Sequence, residues 1–141
     1  MKRILIILML LLGVFAAAFA QAPQKFSYQA VVRDAGNNLI SNHAVGVQIS
    51  ILQGSVNGVA VYVETQTVTT NVNGLMTLEI GSGTVVSGDF ASINWASGSY
   101  FLKTETDPDG GTNYSIVGTQ QLLSVPYALY AEHVAPPPYR R

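Results

Sequence analysis

Apolar and polar residues alternate along most of the chain, in short runs that are separated by turn residues. In the clearest run, residues 44–53, Val45, Val47, Ile49 and Ile51 share one face. A period of two, rich in Val, Ile, Thr and Tyr, is typical of half-buried β-strands. The same pattern predicts six strands, at residues 26–33, 44–53, 59–69, 75–80, 100–106 and 114–122.

The turn signals between these runs predict antiparallel connections. Asn73-Gly74 favours the type I′ hairpin turn that matches strand twist. Residues 84–97 keep no single period, so we expect a long crossover that packs Phe90, Ile93 and Trp95 against the edge of the core. Six or seven short strands without βαβ alternation predict an all-β fold. The predicted architecture is an antiparallel, immunoglobulin-like β-sandwich, and the alternative is a small β-barrel.

The two ends of the chain differ from this β-rich body. Residues 1–20 have a basic start, an aliphatic run and an Ala-x-Ala ending, the layout of a secretory signal peptide that is cleaved before Gln21. The β-sandwich domain is expected over residues 21–126. Pro126 suits the first turn of a short helix at residues 127–134, and the Pro-rich residues 135–141 predict a disordered tail.

Charge and cysteine content exclude some classes of protein. Five basic and eight acidic residues follow Gln21, a net charge of −3. A nucleic-acid-binding protein would normally present a basic face to the phosphates, so we expect no nucleic-acid partner. The chain has no cysteine. Its stability must therefore come from packing and sheet hydrogen bonds, without disulfides.

Few residues are candidates for metal binding. Asp107 and Asp109 stand in a Gly-rich turn and would supply two oxygen ligands of a Ca²⁺ site, but the remaining ligands of an EF-hand are missing. The favoured interpretation is a turn built from turn-forming residues. His43 and His133 are far apart in sequence, and a structural zinc site needs three or four ligands. We expect no metal and no other cofactor.

The sequence also lacks a recognisable catalytic arrangement. Residues 81–83, Gly-Ser-Gly, read as a turn, and no serine stands in a Gly-x-Ser-x-Gly elbow. Glu64 and Glu79 could be imagined as a pair of glycosidase carboxylates. Both alternate with apolar neighbours, so we expect both to point to solvent from adjacent strands. The chain is predicted not to be an enzyme.

Aromatic and C-terminal residues are the better candidates for binding. Five aromatic side chains would either form a platform on which a sugar stacks or belong to the core. They are Trp95, Tyr62, Tyr100, Phe101 and Tyr114. The C-terminal segment would either cover one end of the sandwich or begin a helix bundle, including a trimer. Its candidate interface residues are Tyr127, Leu129, Tyr130 and Val134.

Three segments carry a resemblance to a known group of proteins. These segments resemble parts of a bacterial module. Its opening strand is similar to residues 26–34 (FSYQAVVRD), and its central hairpin to residues 61–65 followed by 73–75. Its closing motif is similar to residues 121–131 (QLLSVPYALYA). That module is found near the N-terminus of surface fibre proteins, many of them from Bacteroidetes-type bacteria. The resemblance covers roughly residues 24–134, and the closing motif is its most specific part.

The resemblance implies a β-sandwich at the cell surface, commonly before a collagen-like, coiled-coil or tail-fibre-like stalk. Only a Pro-rich stub follows Ala131 here, which departs from that pattern. We therefore expect a non-enzymatic structural or adhesive module, exported to the cell surface, the medium or the periplasm. Its expected partners are further copies of itself or envelope and fibre proteins. Contact with the membrane is expected only through the signal peptide before cleavage. The alternative is a module that binds carbohydrate or protein through exposed aromatics.

Overall fold

The computed structural model describes residues 24–123, which form seven strands and one short 3₁₀ helix. The strands are β1 (Phe26–Val31), β2 (Ala44–Gln53), β3 (Val59–Thr69), β4 (Leu75–Ile80), β5 (Thr84–Gly88), β6 (Tyr100–Asp107) and β7 (Ile116–Gln121), and the 3₁₀ helix is Phe90–Ser92. Each of the six predicted runs coincides with one of these strands, and the ends differ by no more than two residues. The seventh strand, β5, lies in the region that was expected to be a crossover.

The strands form two antiparallel sheets. One sheet pairs β1 with β4, and the other has the order β5-β3-β2-β6-β7. The predicted antiparallel β-sandwich is confirmed. Within residues 24–123 the outer strands of the larger sheet, β5 and β7, do not pair with each other, so the sheet is not closed and the barrel alternative is wrong for this part of the chain. The smaller sheet covers only part of the larger one, because two strands face five.

The core lies between the sheets, and β2 is its centre. Val45, Val47, Ile49 and Ile51 are completely buried there, as the period of two predicted. The opposite face of β2 is also largely covered, and Leu52 is buried on it. A central strand that is buried on both faces contributes most to the free energy of folding, at about 25 cal/mol per Å² of apolar surface. The smaller sheet closes the core with Met76, Leu78 and Ile80 of β4, and Val32, directly after β1, packs beside them.

The face of β3 that points into the core was not the one expected. Tyr62 pairs with Ile51 and Glu64 pairs with Ile49, so both lie on the inner face and are buried. Val61 is only partly buried. The prediction that Glu64 points to solvent is therefore wrong. Alternation gives two possible faces for a strand, and only the neighbouring strand decides which one is inside.

The Asn-Gly turn does not close a hairpin. It connects β3 in the larger sheet to β4 in the smaller one. Gly74 has a positive φ of 70°, but Asn73 does not, which excludes the predicted type I′ turn. The Asn71 side chain accepts hydrogen bonds from the amides of Asn73 (2.8 Å) and Leu75 (3.0 Å). This side-chain cap lets the chain cross between the sheets.

The irregular region after β4 contains the remaining difference. Thr84–Gly88 forms the edge strand β5, and only the part from Phe90 onward behaves as the expected crossover. Phe90 is buried and Ile93 packs against the core. Trp95 lies further out, with 43% of its surface exposed.

Several predictions fall on residues that the structure does not describe. These are the signal peptide at residues 1–20, the helix at residues 127–134 with its interface residues, and the tail at residues 135–141. Among residues 24–123, no helix has the length and apolar character needed to cross a bilayer.

Candidate functional site

A buried carboxylate is the most unusual polar feature of the fold. Glu64 is completely buried between the sheets. Its oxygens accept hydrogen bonds from the Tyr62 hydroxyl (2.6 Å), the Gln66 amide (2.7 Å) and the backbone N–H groups of Gly81 (3.0 Å) and Gly83 (3.2 Å). A buried carboxylate is tolerated only when donors replace its lost hydration, and here four donors do so.

The turn after β4 is shaped to supply two of these donors. Gly81 has a φ of 100°, in the region that favours glycine. At Gly83 a Cβ atom would lie 2.8 Å from the Thr65 carbonyl oxygen and 3.0 Å from the Glu64 carboxyl carbon. Glycine at this position therefore allows the backbone to approach the carboxylate. The Gly-Ser-Gly turn thus binds the carboxylate of Glu64 through its backbone.

The electrostatics of this cluster fit a structural role. Burial raises the pKa of Tyr62 above its usual range, and the hydrogen bond to Glu64 and the carboxylate's charge raise it further. The phenol therefore remains a hydrogen-bond donor at every physiological pH. Glu79 lies on the other sheet, exposed and paired with Lys25, so it does not share a pocket with Glu64. The two carboxylates are not arranged as a glycosidase pair.

Asp107, one of the two metal candidates, caps the loop between β6 and β7. Its carboxylate accepts backbone hydrogen bonds from Asp109 (2.9 Å) and Asn113 (2.8 Å), and a further one from Gly111. Asp109 is exposed in the same loop. Among the residues that the structure describes, no three His, Cys, Asp or Glu side chains are grouped to hold a metal ion.

Trp95, Tyr62 and Tyr100 gather at the end of the sandwich where β6 begins, whereas Tyr114 lies in the loop that follows the other end of β6. The Trp95 ring lies 5.8 Å from that of Phe90 and 5.1 Å from that of Tyr100, both edge-to-face. Phe90 in turn contacts Tyr62 at 5.3 Å. Tyr62 and Tyr100 are both buried and belong to the core. Among the aromatic side chains of residues 24–123, only Trp95 is exposed.

A shallow depression of about 350 Å³ lies beside these aromatics. The Tyr100 hydroxyl donates to the Asn94 carbonyl at 2.6 Å, which holds the loop that forms one wall. Asp89 caps the 3₁₀ helix by accepting from the Ala91 amide and the Ser92 hydroxyl. Asp89 lines the depression, and the other polar side chains of the lining are uncharged: Gln53, Ser92, Asn94 and Ser97. Such a surface suits hydroxyl-rich ligands better than ionic ones.

Comparison with known proteins adds a family but no activity. The model of a protein family described as a domain of unknown function, DUF8740, matches residues 27–121. The chain belongs to the DUF8740 family. The matched range runs from the second residue of β1 to the last residue of β7, so the DUF8740 domain is the whole two-sheet body. No curated protein matches the chain. No solved structure matches it either.

The structure of the DUF8740 domain shows what sequence reasoning missed. Glu64 was assigned to the surface, although Tyr62, Glu64 and Gln66 alternate on one face. A polar run of this kind is equally typical of a strand face that points to solvent, so no local signal in the sequence marked Glu64 as buried. The predicted interface residues Tyr127, Leu129, Tyr130 and Val134 lie outside the described residues. So does His133, while His43 lies in an exposed loop.

Protonation of Asp107 is expected to destabilise the fold. Backbone hydrogen bonds from Asp109, Asn113 and Gly111 hold the pKa of Asp107 below its ordinary value of 3.8. A lowered pKa in the folded state means that the stabilisation is complete above pH 3.8 and is lost as the pH falls below it. Asp107→Asn should therefore unfold with a flatter pH dependence between about pH 5 and pH 2. Denaturant midpoints of both proteins across this range would test it, and parallel curves would contradict it.

Proposed function

We propose that this protein is a non-enzymatic structural and adhesive module of an exported bacterial surface or fibre protein. One observation carries the proposal. The buried carboxylates accept hydrogen bonds from groups within the domain, whereas the outer strands of the larger sheet carry no charge and, within residues 24–123, have no strand on their outer side. Glu64 and Asp107 have their hydrogen-bonding capacity used inside the domain. They are therefore poorly placed to act on a substrate.

The open strands are the surfaces suited to assembly. β5 and β7 are the outer strands of the larger sheet, and neither contains a charged residue or proline. Charged side chains and proline are the usual means by which proteins prevent a sheet edge from pairing with another chain. Their absence from both strands fits a module that works through contacts with other protein surfaces.

The signal peptide predicted at residues 1–20 supports export. The experiment is to produce the full chain with a C-terminal tag in a bacterial host, fractionate the cells and determine the N-terminal peptide by mass spectrometry. We expect Gln21 at the N terminus, and protease added to intact cells should remove the tag. The control variant Ala20→Arg should prevent cleavage, because the residue before the cut must be small. Unprocessed cytoplasmic protein from the unmodified chain would contradict the proposal.

A second candidate function is carbohydrate binding at the aromatic end. Trp95 is exposed, is held by two aromatic rings and lies near a depression whose polar lining is uncharged apart from Asp89. It is also the only tryptophan in the chain, so intrinsic fluorescence reports this site alone. Titration with a panel of soluble oligosaccharides should change the emission, and Trp95→Phe should weaken binding to an immobilised glycan at least fivefold. An unchanged spectrum throughout the panel would reject this candidate.

A further inference from the structure

Strand β7 presents a row of backbone donors along its outer side. Leu122 donates its N–H to the Tyr100 carbonyl of β6 at 2.8 Å. The direction of these bonds alternates along an antiparallel strand. The N–H groups of Val117, Thr119 and Gln121 therefore face away from β6, and within residues 24–123 no further strand lies beside them.

The other strand edges are less suited to pairing. The ladder between β5 and β3 is interrupted by a register shift between Val63 and Glu64, and such irregularities turn an edge away from a partner. In the smaller sheet, the Lys25–Glu79 ion pair places charges where β1 begins and β4 ends. By contrast, β7 pairs with β6 in unbroken register over six residues and has no charge.

We propose that β7 pairs with β7 of a second copy of this chain, antiparallel and about a two-fold axis at Thr119. The two five-stranded sheets would then form one continuous sheet of ten strands. An uncharged edge suits its own copy, because no like charges meet in an isologous contact. Pairing of strand edges is an established mode of protein recognition.

The position of the axis follows from the outward donors. Two residues can form hydrogen bonds across the interface only if the N–H and C=O groups of both point away from β6. Such residues are an even number of positions apart on β7, so a two-fold axis that pairs them passes through a residue. An axis at Thr119 pairs Val117 with the second copy's Gln121 and Thr119 with its own counterpart. All three outward N–H groups of each copy are then used, giving six hydrogen bonds. An axis at Gly118 would use only two of them in each copy, giving four.

The interface is small, so we expect a weak dimer. A single pair of six-residue strands buries less than the roughly 1,200 Å² of a stable complex. Dissociation is therefore expected in the micromolar range or above. The inference deepens the proposed function and rests on it for its biological meaning, because copies held close together on a surface or in a fibre have a high effective concentration.

Engineered cysteines test the proposed axis directly, because the chain contains no cysteine. Hydrogen-bonded partners in antiparallel strands have Cα atoms about 5.5 Å apart, within the range for a disulfide. The full chain with Thr119→Cys should form a covalent dimer on mild oxidation with copper phenanthroline. The matched control is Val117→Cys, on the same exposed strand, whose two copies would lie roughly 13 Å apart. Cross-linking of both variants, of neither, or of Val117→Cys alone would overturn the proposal.

A charge on the axis should separate the copies without unfolding them. Thr119 lies directly opposite Lys103 on β6, so Thr119→Glu places unlike charges side by side within one copy. In the dimer it brings two glutamates together. Sedimentation should show at least a tenfold weaker association, whereas Val72→Glu, in the exposed turn between β3 and β4 and outside the proposed pairing, should leave it unchanged. An unmodified chain that remains monomeric at several hundred micromolar would overturn the pairing and leave the export test untouched.

Discussion

Replacing Glu64 with alanine is expected to lower the free energy of unfolding by about 3–5 kcal/mol. The substitution leaves the Tyr62 hydroxyl and the Gly81 and Gly83 amides without their acceptor in a buried site. Each buried donor that loses its partner costs about 1–3 kcal/mol, and water that enters the space left by the side chain offsets part of the sum. Urea unfolding followed by circular dichroism and by Trp95 fluorescence would measure the loss.

Two further variants make this test specific for the buried network. Glu79→Ala removes a carboxylate of the same type from an exposed ion pair with Lys25, and should cost no more than about 1 kcal/mol. Tyr62→Phe removes only one donor and leaves the other three on Glu64, so an intermediate cost of about 1 kcal/mol is expected. Equal losses for Glu64→Ala and Glu79→Ala would show that the Glu64 network does not hold the sheets together.

Replacing Gly46 with alanine is expected to lower the free energy of unfolding by about 2–3 kcal/mol. A Cβ atom at this position would lie 1.9 Å from the backbone oxygen of Gly111, in the loop between β6 and β7. Because the clash is with backbone, the loop must move, and its movement breaks the hydrogen bonds to Asp107. Thermal or urea unfolding would measure the cost.

A second glycine provides the control for this prediction. Gly118→Ala places a Cβ atom 3.5 Å from the Thr104 hydroxyl, an ordinary contact, on a backbone without positive φ. Its effect should stay within about 0.5 kcal/mol. The double variant of Gly46→Ala with Asp107→Asn should cost less than the sum of the two, because both act on the same loop. A stable Gly46→Ala protein with an additive double variant would contradict the proposed loop contact.

Much of the fold could be predicted because strand formation depends on local patterns. The alternation in β2 identified both the strand and its buried face. Pairing partners were harder to predict, because they depend on contacts between residues far apart in sequence. Asn73-Gly74 marked a turn correctly, but no local feature showed that β4 joins β1, whose residues precede it by about fifty positions. The predicted hairpin was therefore wrong, although both of its strands exist.

The sequence by itself determined the strand-rich character of the body, the absence of disulfides and the net negative charge of the residues after Gln21. Only the tertiary structure decided that Glu64 is buried and that β7 is an outer strand of the sheet formed by residues 24–123. The physical reason is that burial of a charge depends on donors supplied from elsewhere: the amides of Gly81 and Gly83 lie 17 and 19 residues along the chain. Likewise, a strand lies at an edge only because of the order in which the sheet assembles.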